Sequence, residues 1–212
     1  GGGEQEAAQE LHRGGEYTEA AVTDRRAFLF DLDGTLADTL PDIAASTNHV
    51  RERHGLGPLE LAAVRRFVGD GARTLLRRAL ADVLPADERA QEQALDAAFA
   101  SYAEHHLEQC TRSATPYPNV VTTLATLHER GCALAVVTNK PQRFAELVVA
   151  HTGLAPFFPV VVGGDLLPTK KPDPAMLHHA LAELGLRASP LATMVGDGVQ
   201  DLRAGKAAGL TT

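Results

Sequence analysis

The sequence predicts an α/β protein with a Rossmann-like parallel sheet, helices on both faces of that sheet, and an inserted α-helical domain. Three observations support this fold class. Short apolar runs alternate with longer helical segments over most of the chain. Such runs suit strands that are buried on both faces, and their alternation with helices favours parallel order. One long stretch in the first half of the chain has helical periodicity and no strand-like run.

Four apolar runs are the predicted strands, namely "AFLF" (27–30), "ALAVV" (133–137), "PVVV" (159–162) and "ATMV" (192–195). Proline favours the first turn of a helix and glycine favours the position after the last turn. These signals predict helices from about Pro118 to Arg130, from Pro141 to near Gly153, from Pro174 to before Gly185, and one that ends at Gly209.

The inserted domain is predicted at residues 41–116, between the first strand and the rest of the sheet. Breaks at "GLGP" (55–58), "VGDG" (68–71) and "LPAD" (84–87) divide it into about four helices. A helical module over the carboxyl ends of parallel strands is placed to close a ligand crevice. Residues 26–40 and 117–212 then form the α/β core.

The first 25 residues are polar and rich in glycine, and they have no sustained apolar face. They are expected to be a flexible tail, an expression remnant or a marginal helix.

Composition limits the possible partners. The 212 residues carry a formal charge of -7, which gives no reason to bind nucleic acid or an anionic membrane. No apolar run approaches the roughly 20 residues of a membrane span. The two cysteines, Cys110 and Cys132, fit no disulfide framework or metal-ligand spacing, so both are expected to be reduced packing thiols in a cytoplasmic protein. The sequence leaves open whether the protein is a monomer or a homodimer.

Two carboxylates follow the first strand, in "AFLFDLDGTLADTL" (27–40). Residues two apart in an extended chain point to the same side, so Asp31 and Asp33 should lie close together. Two such anions raise each other's pKa unless a cation lies between them. This pair therefore predicts a divalent metal site.

Polar residues also follow the later strands, at the edge of the sheet where parallel strands bind ligands. Thr138 and Asn139 precede a helix and suit an anion site. Lys171 lies in "TKKPDP", and "VGDGVQD" places Asp197 and Asp201 one helical turn apart. Hard oxygen ligands suit Mg²⁺, and a metal, a lysine and helix-start amides are what phosphoryl transfer needs.

The motifs "DLDGT", "VVTN", "KKP" and "GDGVQD" occur in this order, and through them the sequence resembles the haloacid dehalogenase superfamily of phosphatases over about residues 27–212. The resemblance implies that Asp31 is the nucleophile, that Asp33 is the general acid and base, and that Lys171 neutralises charge. It also implies that Thr138 and Asn139 bind phosphate. The implied Mg²⁺ ligands are Asp31, the backbone carbonyl of Asp33, Asp197 and, beside them, Asp201.

The insert resembles the α-helical cap of phosphoglycolate phosphatases through "VGDGARTLLRRAL". That branch implies that a cap loop, here Gly69, Asp70 and Gly71, reaches into the active site and helps to select the substrate. The helix start at Ala72 could offer N–H groups to a substrate carboxylate. The charge of Asp70 opposes this, and Arg73 is expected to offset it.

Two further expectations concern single residues and the end of the chain. Lys170 is expected to be an exposed neighbour of Lys171, and the pairs His105–His106 and His178–His179 are expected to be surface or partly buried groups rather than metal ligands. The family usually continues beyond the position of Thr212, so a further C-terminal piece is expected.

The predicted function is Mg²⁺-dependent hydrolysis of a small phosphorylated metabolite through an aspartyl-phosphate, with 2-phosphoglycolate as the preferred substrate. Phosphatases of sugar phosphates, amino-sugar phosphates or pyrophosphate, and sugar phosphomutases, remain open because they share the motifs. A phosphoacceptor receiver domain uses similar residues around Mg²⁺, but it has no reason to contain the helical insert. A phosphonatase is excluded because it needs a cap lysine and residues 41–116 contain none.

Overall fold

The computed structural model describes residues 25–212. The predicted tail therefore lies outside the described residues, apart from Arg25. Along the chain the elements are β1 (Ala27–Phe30), β2 (Ala37–Asp38), α1 (Leu40–Arg53), α2 (Leu61–Arg65), α3 (Ala72–Ala79), α4 (Glu88–Gln109), β3 (Thr115–Pro116), α5 (Val120–Glu129), β4 (Ala133–Val137), α6 (Gln142–His151), a 3₁₀ turn (Ala155–Phe157), β5 (Val160–Val162), α7 (Ala175–Glu183), β6 (Ala192–Val195) and α8 (Val199–Ala207).

The main sheet is parallel, with the strand order β5-β4-β1-β6. The four predicted strands are those of this sheet, and only β5 begins one residue later than expected. The predicted α/β fold class is confirmed. The order places β1 and β4 in the centre, so the residues that follow these two strands meet at the middle of the sheet edge.

Both faces of the sheet are buried, because successive strand residues point to opposite sides. On one face Leu29 and Val137 pack with Met176 of α7. On the other face Phe30 and Val136 pack with residues of α5 and α6 and with residues of the helical insert, in one continuous cluster. The helical insert and the α/β core therefore share part of one apolar interior.

The stretch at 41–116 contains α2, α3, α4 and nearly all of α1, separated at the predicted breaks. Within it α1 packs mainly against α4 and α2. The prediction that no strand occurs here is wrong at its last two residues, because Thr115–Pro116 pairs antiparallel with Ala37–Asp38. A ladder of two residues has no periodic pattern, so sequence reasoning could not detect it. The ladder holds the two ends of the stretch side by side.

Within residues 25–212 no helix is both long enough and apolar enough to span a bilayer.

Candidate active site

Lys171 lies at the centre of the site. Its ammonium is 3.0 Å from Asp31 Oδ1 and 2.7 Å from Asp201 Oδ1, and it donates to the carbonyl of Val137 at 2.6 Å. The side chain is 0% exposed. A buried ammonium needs paired charges and satisfied protons, and these three partners supply both.

Asp31 follows β1 and is also buried. Burial is the largest influence and raises the pKa of its carboxyl from 3.8 to about 6; Lys171 opposes this, while Asp201 and Asp33 add to it. Burial and the neighbouring carboxylates together therefore outweigh Lys171 and raise the pKa of Asp31. A bound cation would favour its ionised form.

Asp197 and Asp201 reach Asp31 from the loop after β6 and the first turn of α8. One carboxylate oxygen from each of the three residues lies within 4.8 Å of the others. Thr35 donates to Asp197 Oδ1 at 3.1 Å, and the Gly198 N–H donates to Asp201 Oδ2 at 2.9 Å. Carboxylate oxygens are the ligands that Mg²⁺ prefers, so this donor set fits the ion.

Asp33 carries its carboxylate away from that cluster. Its oxygens lie 3.0 and 3.3 Å from the ammonium of Lys140, and Thr39 donates to Oδ1 at 2.5 Å. Sequence reasoning did not identify Lys140 as a site residue, although it directly follows Asn139 in "TNKP". The two aspartates of the "DLDGT" motif therefore pair with different lysines: Asp31 with Lys171, and Asp33 with Lys140.

Thr138 and Asn139 directly follow β4, as predicted, and both are buried. The Asn139 amide nitrogen donates to the carbonyls of Gly69 and Lys171, each at 2.9 Å. Its N–H₂ group is thus used to join the cap loop to the segment of Lys171, rather than being free for an anion. The Lys140 N–H donates to the Thr138 hydroxyl oxygen at 3.2 Å, and Thr138, Asn139 and Lys140 all line the cavity described below.

The cap loop, Gly69–Gly71, reaches the sheet edge, and Lys170 donates to the backbone carbonyl of Asp70. The expectation that Lys170 is exposed is therefore wrong: it is half-buried against the loop, and burial lowers its pKa. A Cβ on Gly71 would approach Lys170 Nζ to 2.9 Å, at a φ of +86° that disfavours other residues.

The charge of Asp70 is offset by a different arginine from the one expected. Arg78 pairs with Asp70 at 2.5 Å, whereas Arg73 pairs with Glu92 and Asp96 of α4. Arg73 lies on α3 and its two partners lie on α4, and the sequence alone could not predict that these two helices are neighbours. The Asp70 carboxylate is thus directed to α3, and Asp70 does not line the cavity, although Gly69 and Gly71 do.

A cavity of about 330 Å³ lies between the sheet edge and the helical insert. Asp31, Asp33 and Asp197 line its polar end. Its apolar and aromatic lining residues include Leu40, Ile43, Leu75, Tyr102, His106 and Phe144. The expectation for His106 is wrong, because it is fully buried and faces this cavity rather than the surface.

The sequence model of the haloacid dehalogenase-like hydrolases matches residues 28–212, which include all four motifs. The chain belongs to this family. A phosphoglycolate phosphatase of Neisseria meningitidis is 39% identical over 190 residues, which cover 90% of this chain and 80% of the relative. One of Pseudomonas putida is 41% identical over 188 residues, covering 87% of this chain and 67% of the relative.

Among solved structures, a predicted phosphoglycolate phosphatase from Haemophilus somnus has a TM-score of 0.75 at 32% identity, covering 89% of this chain and 84% of that chain. A CbbY from Rhodobacter sphaeroides in complex with phosphate has a TM-score of 0.71 at 24% identity, covering 88% and 84%, and shows the shared fold. The predicted resemblance to phosphoglycolate phosphatases and the prediction of a phosphoric monoester hydrolase are confirmed.

Proposed function

We propose that this haloacid dehalogenase-like hydrolase is a Mg²⁺-dependent phosphatase that acts on a small phosphomonoester, with 2-phosphoglycolate as the preferred substrate and Asp31 as the nucleophile. The observation that carries the proposal is the meeting of Asp31 with Lys171, Asp197 and Asp201 at one end of the cavity. Asp31, Asp197 and the backbone carbonyl of Asp33 would hold Mg²⁺, with Asp201 beside them. The bound ion would stabilise negative charge on the phosphate oxygens.

In the first step an Asp31 carboxylate oxygen attacks phosphorus, and the bond from phosphorus to the ester oxygen breaks. The protonated Asp33 carboxyl gives its proton to the leaving alkoxide. Lys140 and Thr39 fix the position of the Asp33 carboxyl, and the Lys140 charge favours the ionised form that the second step needs. In the second step Asp33 takes a proton from water, the water oxygen attacks phosphorus, and phosphate leaves with Asp31 restored.

Lys171 keeps the Asp31 oxygen in place and balances its charge, since it is held on three sides. The Thr138 hydroxyl accepts from the Lys140 N–H and keeps its own proton, which is suited to bind a phosphate oxygen that does not react. Closure of the helical insert over the cavity would exclude bulk water from the aspartyl-phosphate.

The preference for 2-phosphoglycolate has two supports. Relatives at about 40% identity carry that activity in their names. In addition, α3 begins at the cavity with Gly71 and Ala72, its first turn contains no acidic residue, and the Asp70 carboxylate is directed to Arg78. Free N–H groups at a helix start favour a carboxylate. The buried free thiols of Cys110 and Cys132 support a cytoplasmic location.

The test is a panel of phosphomonoesters assayed with Mg²⁺, with EDTA and with the Asp31→Asn variant. We expect release of phosphate in Mg²⁺ alone. Hydrolysis that persists in EDTA, or full activity in the variant, contradicts the mechanism. Glycolate release far slower than release of a hexose or amino sugar contradicts only the substrate, and an isomerised sugar phosphate as product indicates a mutase.

A further inference from the structure

Arg65 is the last residue of α2 in the helical insert, and its exposed side chain lines the cavity. None of the ion pairs among residues 25–212 includes it. A guanidinium keeps its proton at every pH at which a protein is folded and active. The wall of the cavity therefore carries, at this point, a positive charge that no ion pair within the described chain balances.

The other charges that line the cavity leave Arg65 in a special position. Carboxylates line it as well, namely those of Asp31, Asp33, Asp38 and Asp197. Among the described lining residues the only other lysine or arginine is Lys140, and its ammonium is 3.0 and 3.3 Å from the two oxygens of Asp33. In the proposed mechanism Mg²⁺ and Lys171 serve the phosphate. Arg65 is then the cation that remains for a second anionic group.

Tyr117 indicates which part of the cavity Arg65 is close to. Tyr117 follows β3 and lines the cavity. Burial and the charge of Asp38 raise the pKa of its hydroxyl, Arg65 opposes them, and the carboxylates of Asp197 and Asp33 add to the rise. The hydroxyl is thus within electrostatic reach of Arg65 and of two site carboxylates, so Arg65 lies toward the polar end of the cavity. The phenol stays protonated and can donate to an anion.

A substrate with a second anionic group has few places for that group in this cavity. Apolar lining residues such as Ile43 and Leu75 cannot take a charge without a large cost. The carboxylates repel it. The N–H groups at the start of α3 carry only partial charges. Arg65 supplies a full charge, and its planar fork of donors matches the two oxygens of a carboxylate.

We infer that Arg65, assisted by the Tyr117 hydroxyl, binds the second anionic group of the substrate, and that the pair selects phosphomonoesters that also carry a carboxylate. This inference rests on the proposed phosphatase function and adds specificity residues to it. Arg65 lies on the insert whereas Asp31 lies on the core. A substrate with both anionic groups would therefore connect the two parts and favour closure of the insert, which a monoester with phosphate alone would not do.

The alternative role of Arg65 is to complement the dipole at the C-terminus of α2. Arg66, the C-cap residue of the same helix, is also exposed but does not line the cavity. The two arginines share the helix end and the charge, and they differ in access to the cavity. Arg66 is therefore the matched control.

The test compares 2-phosphoglycolate with ethyl phosphate, which lacks the carboxylate, in the full chain with Mg²⁺. Arg65→Gln removes the charge. We expect kcat/KM for 2-phosphoglycolate to fall about 10- to 100-fold, mainly through KM, as for a lost hydrogen bond to a charged group. The value for ethyl phosphate should fall less than about threefold. Arg66→Gln should change neither value by more than about twofold.

Three further measurements separate a binding role from a structural one. Arg65→Lys keeps the charge without the planar fork, so it should recover part of the lost kcat/KM. Tyr117→Phe should lower kcat/KM for 2-phosphoglycolate about tenfold and affect ethyl phosphate less. Added KCl should reduce the wild-type preference for 2-phosphoglycolate, because salt screens an exposed cation, and this salt dependence should be weaker in Arg65→Gln.

The inference is overturned if Arg65→Gln slows both esters equally, if it changes neither, or if Arg66→Gln causes the same selective loss. A Tyr117→Phe variant without a selective loss overturns the part assigned to the hydroxyl. A wild type that hydrolyses ethyl phosphate as well as 2-phosphoglycolate also overturns the inference, while the phosphatase function stands. A wild type that hydrolyses no phosphomonoester contradicts the proposed function itself, so the two failures are distinguishable.

Discussion

The ammonium of Lys171 lies 3.0 Å from Asp31 Oδ1, although the two residues come from distant parts of the chain. The same ammonium is 2.7 Å from Asp201, so a single buried cation separates two buried carboxylates. In the proposed mechanism this pairing keeps the nucleophile charged and fixed before the substrate arrives.

Replacing Lys171 should damage both stability and activity. In Lys171→Met the carboxylates of Asp31 and Asp201 lose their shared cation while they stay buried, and breaking a buried pair costs about 3–5 kcal/mol. Urea denaturation should show this loss, and phosphatase activity should disappear. The control is Lys206→Met, which removes an exposed lysine on α8 and should leave both quantities unchanged. Unaltered stability of Lys171→Met would contradict the assigned pairing.

Lys140 should control the step that depends on Asp33. In Lys140→Met the Asp33 carboxylate retains Thr39 but loses its ammonium at 3.0 Å. Without this contact the Asp33 carboxyl is held less firmly at the leaving oxygen, so general acid–base catalysis weakens and kcat should fall at least about tenfold. Lys140→Arg should recover part of the rate. Steady-state kinetics on 2-phosphoglycolate measures both variants, and a kcat equal to that of the wild type in Lys140→Met would show that Asp33 does not need this partner.

Most of the fold could be predicted from the sequence because its signals are local. A buried strand such as Ala133–Val137 is a continuous apolar run, and the helices around it begin at proline and end at glycine. The two-residue ladder between Ala37–Asp38 and Thr115–Pro116 was missed because its pairing is long-range and its length allows no pattern.

The meeting of the site carboxylates could also be predicted, because the carboxyl ends of parallel strands lie at the same edge of a sheet. What could not be predicted is which residue each charged side chain contacts. Asp70 pairs with Arg78 rather than Arg73, and Lys170 bonds the cap loop instead of facing water. These choices depend on how the insert packs over the sheet. His106 was expected to be at the surface or partly buried, and its full burial beside the cavity follows from tertiary structure alone.

A glycine should be required at position 34 for two reasons. The backbone conformation there disfavours other residues, and a larger residue would disturb the metal site. Gly34 has a φ of +86°, and a Cβ there would lie 2.8 Å from Asp197 Oδ2. Gly34→Ala should therefore displace Asp197 and weaken Mg²⁺ activation. Gly209→Ala is a matched control, since Gly209 has a φ of +74° but no atom within 4 Å of the added Cβ.

Both glycine variants should lose about 1–2 kcal/mol of stability from backbone strain. Only Gly34→Ala should also raise the Mg²⁺ concentration needed for half-maximal activity. An identical Mg²⁺ requirement in the two variants would mean that Asp197 is not a ligand at this position.

Lys170 should act on substrate binding through the cap loop. In Lys170→Met the carbonyl of Asp70 loses its donor, so the loop should close less firmly over the cavity. The KM for 2-phosphoglycolate should rise about fivefold, as expected for one lost hydrogen bond, with little change in kcat. Lys170→Arg should restore KM. A fall in kcat at constant KM would instead indicate a role in the chemical step.

The pKa of Asp31, raised to about 6 by burial, predicts how Mg²⁺ binding depends on pH. Protons compete with Mg²⁺ for this carboxylate, so the apparent affinity should weaken about tenfold for each pH unit below 6. In the metal-free protein, by contrast, protonation of Asp31 is favourable, because it stabilises the fold. The protonated form is favoured in the fold, so stability should fall as pH rises from about 4 to about 6.

Calorimetric Mg²⁺ titrations and thermal melts at several pH values measure these two effects. Asp31→Asn, which cannot ionise, should remove the pH dependence of both. If its melting temperature showed the same dependence as the wild type over that range, another group would be responsible.

The central claim is that the phosphoryl group is transferred to Asp31 and forms a covalent aspartyl-phosphate there. The most direct measurement is acid quenching of the enzyme during turnover of 2-phosphoglycolate with Mg²⁺, followed by mass spectrometry of the peptide that contains Asp31 and Asp33. The account predicts a phosphoryl group on Asp31, absent in EDTA and absent in Asp31→Asn. An enzyme that turns over at full rate with no phosphorylated aspartate, or with the phosphoryl group on another residue, would contradict it.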